Sequence, residues 1–314
     1  MSNRAATPTR GSDTSDAATS VTLDEAVSLV AAFAARVAAD ANLRLLLIKG
    51  KPATDLGVRA DRPSADVDVW IDPTRARDYV ALLAGHGWEN APSPPAGVGW
   101  GHAATLTHPA WPTTIDVHRA FPGFLADDGI AFEQVWQRRR SATIADRPLA
   151  TPDRVAAAAV TTLHALRSEV ISETKGDLEM ALGQAAVFSD RERRSLQGLA
   201  ASTGSASTLA PLLHAAGIDD AGGVADNAKL EEWHQRTSIQ GLPVAGWGLA
   251  IRRAPWSRRP GLILTALRPT DMDYANAGAT RGAKAGSVRA TAYRWRRAQL
   301  AVTDAMRRRL NRDR

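Results

Sequence analysis

The chain contains no cysteine. Disulfide frameworks, thiol nucleophiles, zinc fingers and iron–sulfur clusters are therefore excluded. No apolar run approaches the ~20 residues that a membrane-spanning helix needs. The most apolar helical stretch, 26–39, is short and carries Arg36, so no membrane partner is expected. A secretory signal is also missing. Residues 1–20 mix Ser, Thr, Asp and Ala instead of following a basic start with an apolar stretch. They are expected to form a disordered polar leader on a cytoplasmic protein. HExxH, GxxxxGK[ST] and GxGxxG do not occur, so zincin, P-loop and simple Rossmann readings lose their support. Lysine is scarce, at five of the 39 basic residues. Arginine suits phosphates and carboxylates. Its excess is local: nine arginines against Asp304 and Asp313 give the last 26 residues a side-chain charge of +7, more than the whole chain's +6. The basic charge belongs to a tail, and the rest of the chain is close to neutral.

What is present is the composition of a globular protein, 44% hydrophobic and 23% charged over 314 residues, long enough for two domains. Thr22 followed by Glu25 is a capping box opening a helix to about residue 40. Residues 43–48 (LRLLLI) read as a buried strand ending at Lys49-Gly50-Lys51-Pro52, with a short helix over 52–56. Residues 66–71 (DVDVWI) alternate with the period of a strand. An amphipathic helix over 75–84 follows, then a loop over 92–101, then strands over 103–107 and 113–118. From Thr151 the texture becomes helical, with an Ala-rich segment to about 169, helices over 175–188 and 189–201, and a second capping box at Ser189 and Glu192. Short helices are expected to continue to about 248. A linker over 276–286 precedes a basic helix over 288–310, with Val288, Ala292, Trp295, Val302, Met306 and Leu310 at helical spacing.

Residues i and i+2 of a strand share a face, so Asp66 and Asp68 stand together while Val67, Val69 and Ile71 face a core. Two unpaired carboxylates at that spacing repel, and a divalent cation relieves the repulsion. Alone, the pair also fits an exposed edge strand with two solvated acids. Asp116, with His118 on the same face of its own strand, adds a third carboxylate if the two strands are neighbours. Three carboxylates can hold two metal ions for phosphoryl or nucleotidyl transfer. Upstream, Gly50 lets backbone approach phosphate. Lys49, Lys51 and Arg62 supply charge to neutralise a triphosphate, and Ser64, in the same segment before the first aspartate, joins them and Gly50 as a cofactor-binding candidate.

The run LLLIKG, then RPSADVDVWI, then TTIDVHRAF resembles the nucleotidyltransferase superfamily. More narrowly, it is similar to a poorly characterised nucleotidyltransferase-like family with a KG…RPxxDxD…hxhH pattern, h being hydrophobic. The match covers about 43–120 and extends more weakly to TPDRVAAAAVTTLHALRS and KGDLEMAL. The resemblance implies an α/β (α+β) palm with a mixed sheet, of the DNA-polymerase-β type, followed by an all-α C-terminal domain. The expected divisions are 1–20, palm 21–150, helical domain 151–275, and linker with basic helix 276–314. It also implies Mg²⁺ (or Mn²⁺) and a nucleoside triphosphate, ATP being the expected one. Asp66 and Asp68 would bind both metals. Asp116 would bind the catalytic metal and help activate an acceptor hydroxyl, and Gly50 would sit at the triphosphate turn. The superfamily turn is Gly-Ser or Gly-Gly, whereas here Lys51 follows Gly50. The expected reaction is transfer of a nucleoside monophosphate to an unidentified hydroxyl-bearing small molecule, protein or tRNA, releasing pyrophosphate. The other reading is a degenerate palm that binds RNA or protein.

Weaker candidates surround this set. His118 contacts phosphate or positions a substrate, or is only hydrogen-bonded to Asp116. His102 and His108 read as structural, and His164 as a buried histidine. Asp177 partners His164 or faces the nucleotide. Lys175 lies at a solvated helix start or reaches phosphate. Asp271 and Asp273 read as a cap or turn, and the segment 97–101 as a flexible loop around Trp100. The basic residues in 289–314 read as a solvated, arginine-rich terminal helix, or offer a contact for RNA or acidic protein. If that tail binds RNA, affinity falls steeply with salt and is lost on deletion of 288–314; a salt-insensitive affinity that survives the deletion would refute it.

Overall fold

The computed structural model describes residues 21–91, 101–168, 172–223, 226–238, 251, 254–267 and a few positions between 288 and 296. Expectations for the leader, the 276–286 linker, most of the basic tail, Asp271, Asp273 and Trp100 lie outside the described residues.

Helix α1 (Leu23–Asp40) begins at the expected box. The Thr22 side chain accepts from the Glu25 amide at 3.3 Å, and Glu25 Oε2 accepts from the Thr22 amide at 2.8 Å. Strand β1 (Leu45–Leu47) leads into α2 (Gly50–Asp55), then β2 (Asp66–Ile71), a 3₁₀ turn at Pro73–Arg75 and α3 (Ala76–Ala84). Strands β3 (Glu89–Asn90), β4 (Ala103–Thr107) and β5 (Thr114–His118) complete a five-stranded sheet of order β1-β2-β5-β4-β3. The β2–β5 pair is parallel and the other pairs are antiparallel, so the expected mixed sheet is present.

Strand β3, a helix and a hairpin go beyond the sequence reading. Helix α4 (Asp128–Gln137) is followed by a hairpin of β6 (Arg139–Ile144) and β7 (Arg147–Pro152). Its two-residue turn is Ala145-Asp146, both at positive φ (46° and 57°). That geometry normally announces itself as Asn-Gly or Asp-Gly, and the sequence carries no such signal. Helices α5 (Arg154–Ser168), α6 (Ser172–Ala186), α7 (Asp190–Ser202), α8 (Ala210–Ala215), α9 (Asn227–Ser238) and α10 (Arg259–Leu267) supply the expected helical region. No described helix is long and apolar enough to cross a membrane. Val288 and Trp295, on the expected apolar face of the basic helix, are exposed.

The sheet has two buried faces. Val67, Val69, Ile71, Ile115 and Val117 pack with Leu45 and Leu47 against α1 and α3, through Val30, Ala34, Tyr79 and Leu83. On the other face Leu46, Ile48 and Trp70 join Phe121, Phe124 and Phe132 and the inward sides of α5, α7 and α8. The alternation in β2 therefore separates two cores, and Trp70, at a position of the polar face, is fully buried. Arg44 ties this region together. It pairs with Asp72 at 2.6 Å and Glu133 at 2.5 Å and lies over the rings of Phe132 and Trp136.

The tightest join between the loop after β5 and the helical region is Gly123. Its φ is +106°, and a Cβ there would stand 2.5 Å from Leu163 Cδ2 and 2.8 Å from Trp233 Cζ3. Gly123→Ala combines a disfavoured φ with overpacking, so it should cost roughly 2–4 kcal/mol of stability. A urea midpoint equal to that of the unaltered chain would refute this packing.

Candidate active site

Parallel pairing of β2 and β5 sets Asp68 directly opposite Asp116, and Asp66 opposite Thr114. Thr113 fixes this register from below by donating to the Ala65 carbonyl at 2.8 Å. The neighbouring β1 continues past its last residue, with the Ile48 amide donating to the Asp68 carbonyl at 3.0 Å. Lys49 thus emerges beside Asp68. Its backbone takes φ 66° and ψ −157°, a conformation few residues with a Cβ adopt. Gly50 follows at φ +58°.

Asp68 is the buried centre. Its Oδ1 lies 2.6 Å from Lys49 Nζ and 2.9 Å from His118 Nε2. Burial pushes the Asp68 carboxyl up, but the Lys49 charge and the His118 contact outweigh it and hold the group well below the usual carboxylate range. His118 moves the other way. Burial outweighs its bond to Asp68, so the imidazole is neutral at neutral pH. The partner of His118 is therefore Asp68 and not the expected Asp116. His164 is held well below its usual range by burial and by the charges of Lys49 and Arg167. Asp66 is raised, first by burial and then by the Asp68 charge.

Ligand atoms of Asp68, Asp116 and His118 all lie within 4.8 Å of one another. Asp116 Oδ1 is buried and has no hydrogen-bond partner among the described residues. A buried carboxylate oxygen without a partner is costly, and a cation would satisfy it. Carboxylates suit Mg²⁺ or Mn²⁺, and the imidazole adds a nitrogen that Mn²⁺ accepts. The residues fit a divalent metal.

The phosphate-binding candidates separate. Lys49 and Gly50 stand at the carboxylates. Ser64 lies over Gly50, with Oγ 3.6 Å from where a Cβ on Gly50 would be. Lys51 turns outward, pairing with Asp55 at 2.9 Å one helical turn on. Arg62 pairs with Asp177 at 2.9 Å. Asp177 is buried on α6 and accepts also from the Ala60 amide at 3.0 Å, so its partners are in the 57–65 loop and not His164. His102 ring-packs 5.8 Å from His118 and meets Arg167. His108 accepts from the Ala110 amide and packs on Trp88, a structural role. The side chain of Lys175 lies outside the described residues.

Sequence reasoning missed Arg59. It is 5% exposed and donates to Thr54 Oγ1 at 3.0 Å, to the Arg62 carbonyl at 3.1 Å and to Ser64 Oγ at 3.2 Å. A single arginine in a polar loop leaves no periodic signal that would mark it. Also unread was a cavity of about 210 Å³ lined by His102, Arg119, Phe121, Asp128, Glu232 and Trp233 among others. His102 and Phe121 bring it next to His118, each ring 5.8 Å away.

No protein-family model matches the chain, and no curated protein matches it in sequence. Solved structures align with it at low similarity, three of them as follows. The antibiotic-resistance factor ANT(2'')-Ia is 17% identical over 61% of this chain and 91% of its own, with a TM-score of 0.36. The lincosamide antibiotic adenylyltransferase LnuA, lincomycin-bound, is 14% identical over 56% and 96%, with a TM-score of 0.31. An antigenic nucleotidyltransferase-like protein from Paracoccidioides brasiliensis is 13% identical over 66% and 97%, with a TM-score of 0.36.

The raised Asp66 has a measurable consequence. A carboxyl raised in the folded state costs nothing below its unfolded pKa and costs most once ionised above its folded one. Asp66→Asn should therefore raise the melting temperature at pH 7 in metal-free buffer, and the gain should fade as pH falls towards the unfolded value of about 4. A gain that persists unchanged at acid pH would contradict the repulsion.

Proposed function

We propose that the chain is a metal-dependent nucleotidyltransferase. The observation that carries this reading is the register of β2 and β5, which sets Asp68 against Asp116, with Asp66 two residues away on the same face and the Gly50 turn at their edge. A structural role for three clustered acids, one with a buried unpartnered oxygen, gains nothing in stability. Asp66, Asp68 and Asp116 would hold Mg²⁺ (or Mn²⁺), with His118 orienting Asp68. When bound, the metal supplies charge stabilisation to the reacting phosphate and lowers the pKa of the attacking hydroxyl.

The residues of the chain do the rest. Lys49 offsets carboxylate charge and lies where it can meet a phosphate oxygen. Gly50 leaves room for the triphosphate, ATP being the expected donor. The acceptor oxygen bonds to the α-phosphorus while the bond to the α,β-bridging oxygen breaks. That oxygen leaves with its electron pair in pyrophosphate, and the acceptor proton passes to Asp116. The cavity beside His102 and Phe121 is the place for the acceptor, with aromatic walls and charges of both signs at its rim. Its size suits one ring-sized portion of a hydroxyl-bearing molecule.

The test begins with thermal unfolding of the full chain in ATP, GTP, CTP or UTP, with and without Mg²⁺. At a hundred times its Kd a ligand adds about 2.7 kcal/mol of stability. A Mg²⁺-dependent rise with one nucleotide, lost in Asp68→Asn and in Asp116→Asn, supports the reading and names the donor. Once an acceptor is found, each substitution should lower the transfer rate on the order of 10³-fold, about 4 kcal/mol. If no nucleotide binds at millimolar concentration and the substitutions leave RNA or protein binding intact, the chain is the degenerate binding module instead.

A further inference from the structure

Lys51 occupies the position where a phosphate-binding turn would place its hydroxyl, and it is turned away: its side chain is 66% exposed and paired with Asp55. Arg62, another cation expected at the phosphates, is committed to Asp177. Two of the three cations assigned to the triphosphate by linear sequence are therefore spent elsewhere. A different pair stands over the turn. Ser64 Oγ hangs 3.6 Å from the Cβ position of Gly50, so the hydroxyl missing from residue 51 is present in space. Behind it is Arg59.

The hydrogen bonds fix the direction of this pair. Arg59 Nη2 donates to Ser64 Oγ. The serine oxygen is an acceptor in that bond, which leaves its own hydrogen to donate, and among the described residues it donates to none. Arg59 is almost wholly buried, and all three of its hydrogen-bond acceptors are neutral. It forms no ion pair among the described residues, and Asp177, Asp66 and Asp68 act on it only at longer range. A guanidinium enclosed without a counter-ion is costly, and an anion arriving next to Ser64 would lower that cost. Asp177 holds the segment in shape through the Ala60 amide and Arg62, so the donor is set before any ligand arrives.

We propose that the Ser64 hydroxyl, positioned and polarised by Arg59, is a phosphate-binding donor of this site, taking an oxygen of a polyphosphate chain in place of the residue after Gly50. The inference deepens the nucleotidyl-transfer reading and rests on it. A hydrogen bond from a hydroxyl that is itself bonded to a cation is strengthened by that charge. Arg59 acts through Ser64 and is a positioning residue.

Calorimetric titration of the full chain with ATP, GTP, CTP and UTP and, separately, with inorganic tripolyphosphate, each with Mg²⁺, tests this. Ser64→Ala, at a half-exposed position, should weaken binding about tenfold, the scale of one charge-assisted hydrogen bond. Ser64→Thr should restore most of the loss, and Lys51→Ala should retain the affinity. Arg59→Lys, checked for an unchanged melting temperature, should also weaken binding about tenfold. The double variant Arg59→Lys/Ser64→Ala should lose no more than Ser64→Ala alone, because coupled residues are not additive. A Ser64→Ala affinity equal to that of the unaltered chain overturns the inference, as does a roughly hundredfold loss in the double variant. Ser64-dependent binding of tripolyphosphate without binding of any of the four nucleotides sustains the subsite and defeats the nucleotidyl-transfer reading. Ser64-dependent binding of a nucleotide alone assigns the subsite to the phosphates of the nucleotide. Binding of no probe by the unaltered chain defeats both.

Discussion

The site depends on a parallel contact between two strands that are 48 residues apart at their paired aspartates, Asp68 and Asp116. Every other pairing in this sheet is antiparallel. A shift of one residue in β5 would turn Asp116 into the α1/α3 core and Ile115 towards Asp68. The alternation on each strand forbids that shift, because Val67, Val69, Ile115 and Val117 must all reach the same apolar layer. The hydrophobic pattern of one face therefore enforces the placement of charge on the other. Lys49 is carried into position by the same logic, since β1 pairs with β2 up to the residue before it.

Asp66 and Asp68 are two residues apart and behave oppositely. Asp68 is fully enclosed yet held ionised, because Lys49 and His118 meet it at one oxygen. Asp66 has weaker compensation and is raised. The difference arises from neighbours on β1 and β5 and not from the residues themselves. It gives the site one carboxylate whose charge its neighbours favour and one whose charge burial and a like charge disfavour. Environments that drive like groups apart are a mark of a working site more than of a stabilising one.

Much of this was legible in the chain because it is local. Alternation marked β2 and β5, capping boxes marked α1 and α7, and DVDVWI with TTIDVH named all three carboxylates. The positions of the supporting groups were not legible, because they are set by burial and by contacts distant in sequence. Whether Lys51 points to phosphate or to Asp55 depends on which way α2 faces. Asp177 reaches back across more than a hundred residues to Ala60 and Arg62. Arg59 acquires meaning only when Ser64 folds over Gly50. The β6–β7 hairpin escaped because its turn is Ala-Asp and its strands carry several arginines, which weakens a period-2 signal.

The second face of the sheet has a consequence for how the chain is made. Leu46, Ile48 and Trp70 belong to the first quarter of the sequence, yet their cover includes Val160, Leu196 and Leu212. On the ribosome, the sheet therefore emerges long before the helices that close it. Leu212 follows the last residue of β5, His118, by 94 positions, and through that stretch of synthesis part of the apolar face lacks its cover. Its nascent form is a natural client for a holdase chaperone, and a message truncated before α5 would yield a sticky fragment and not a smaller working protein.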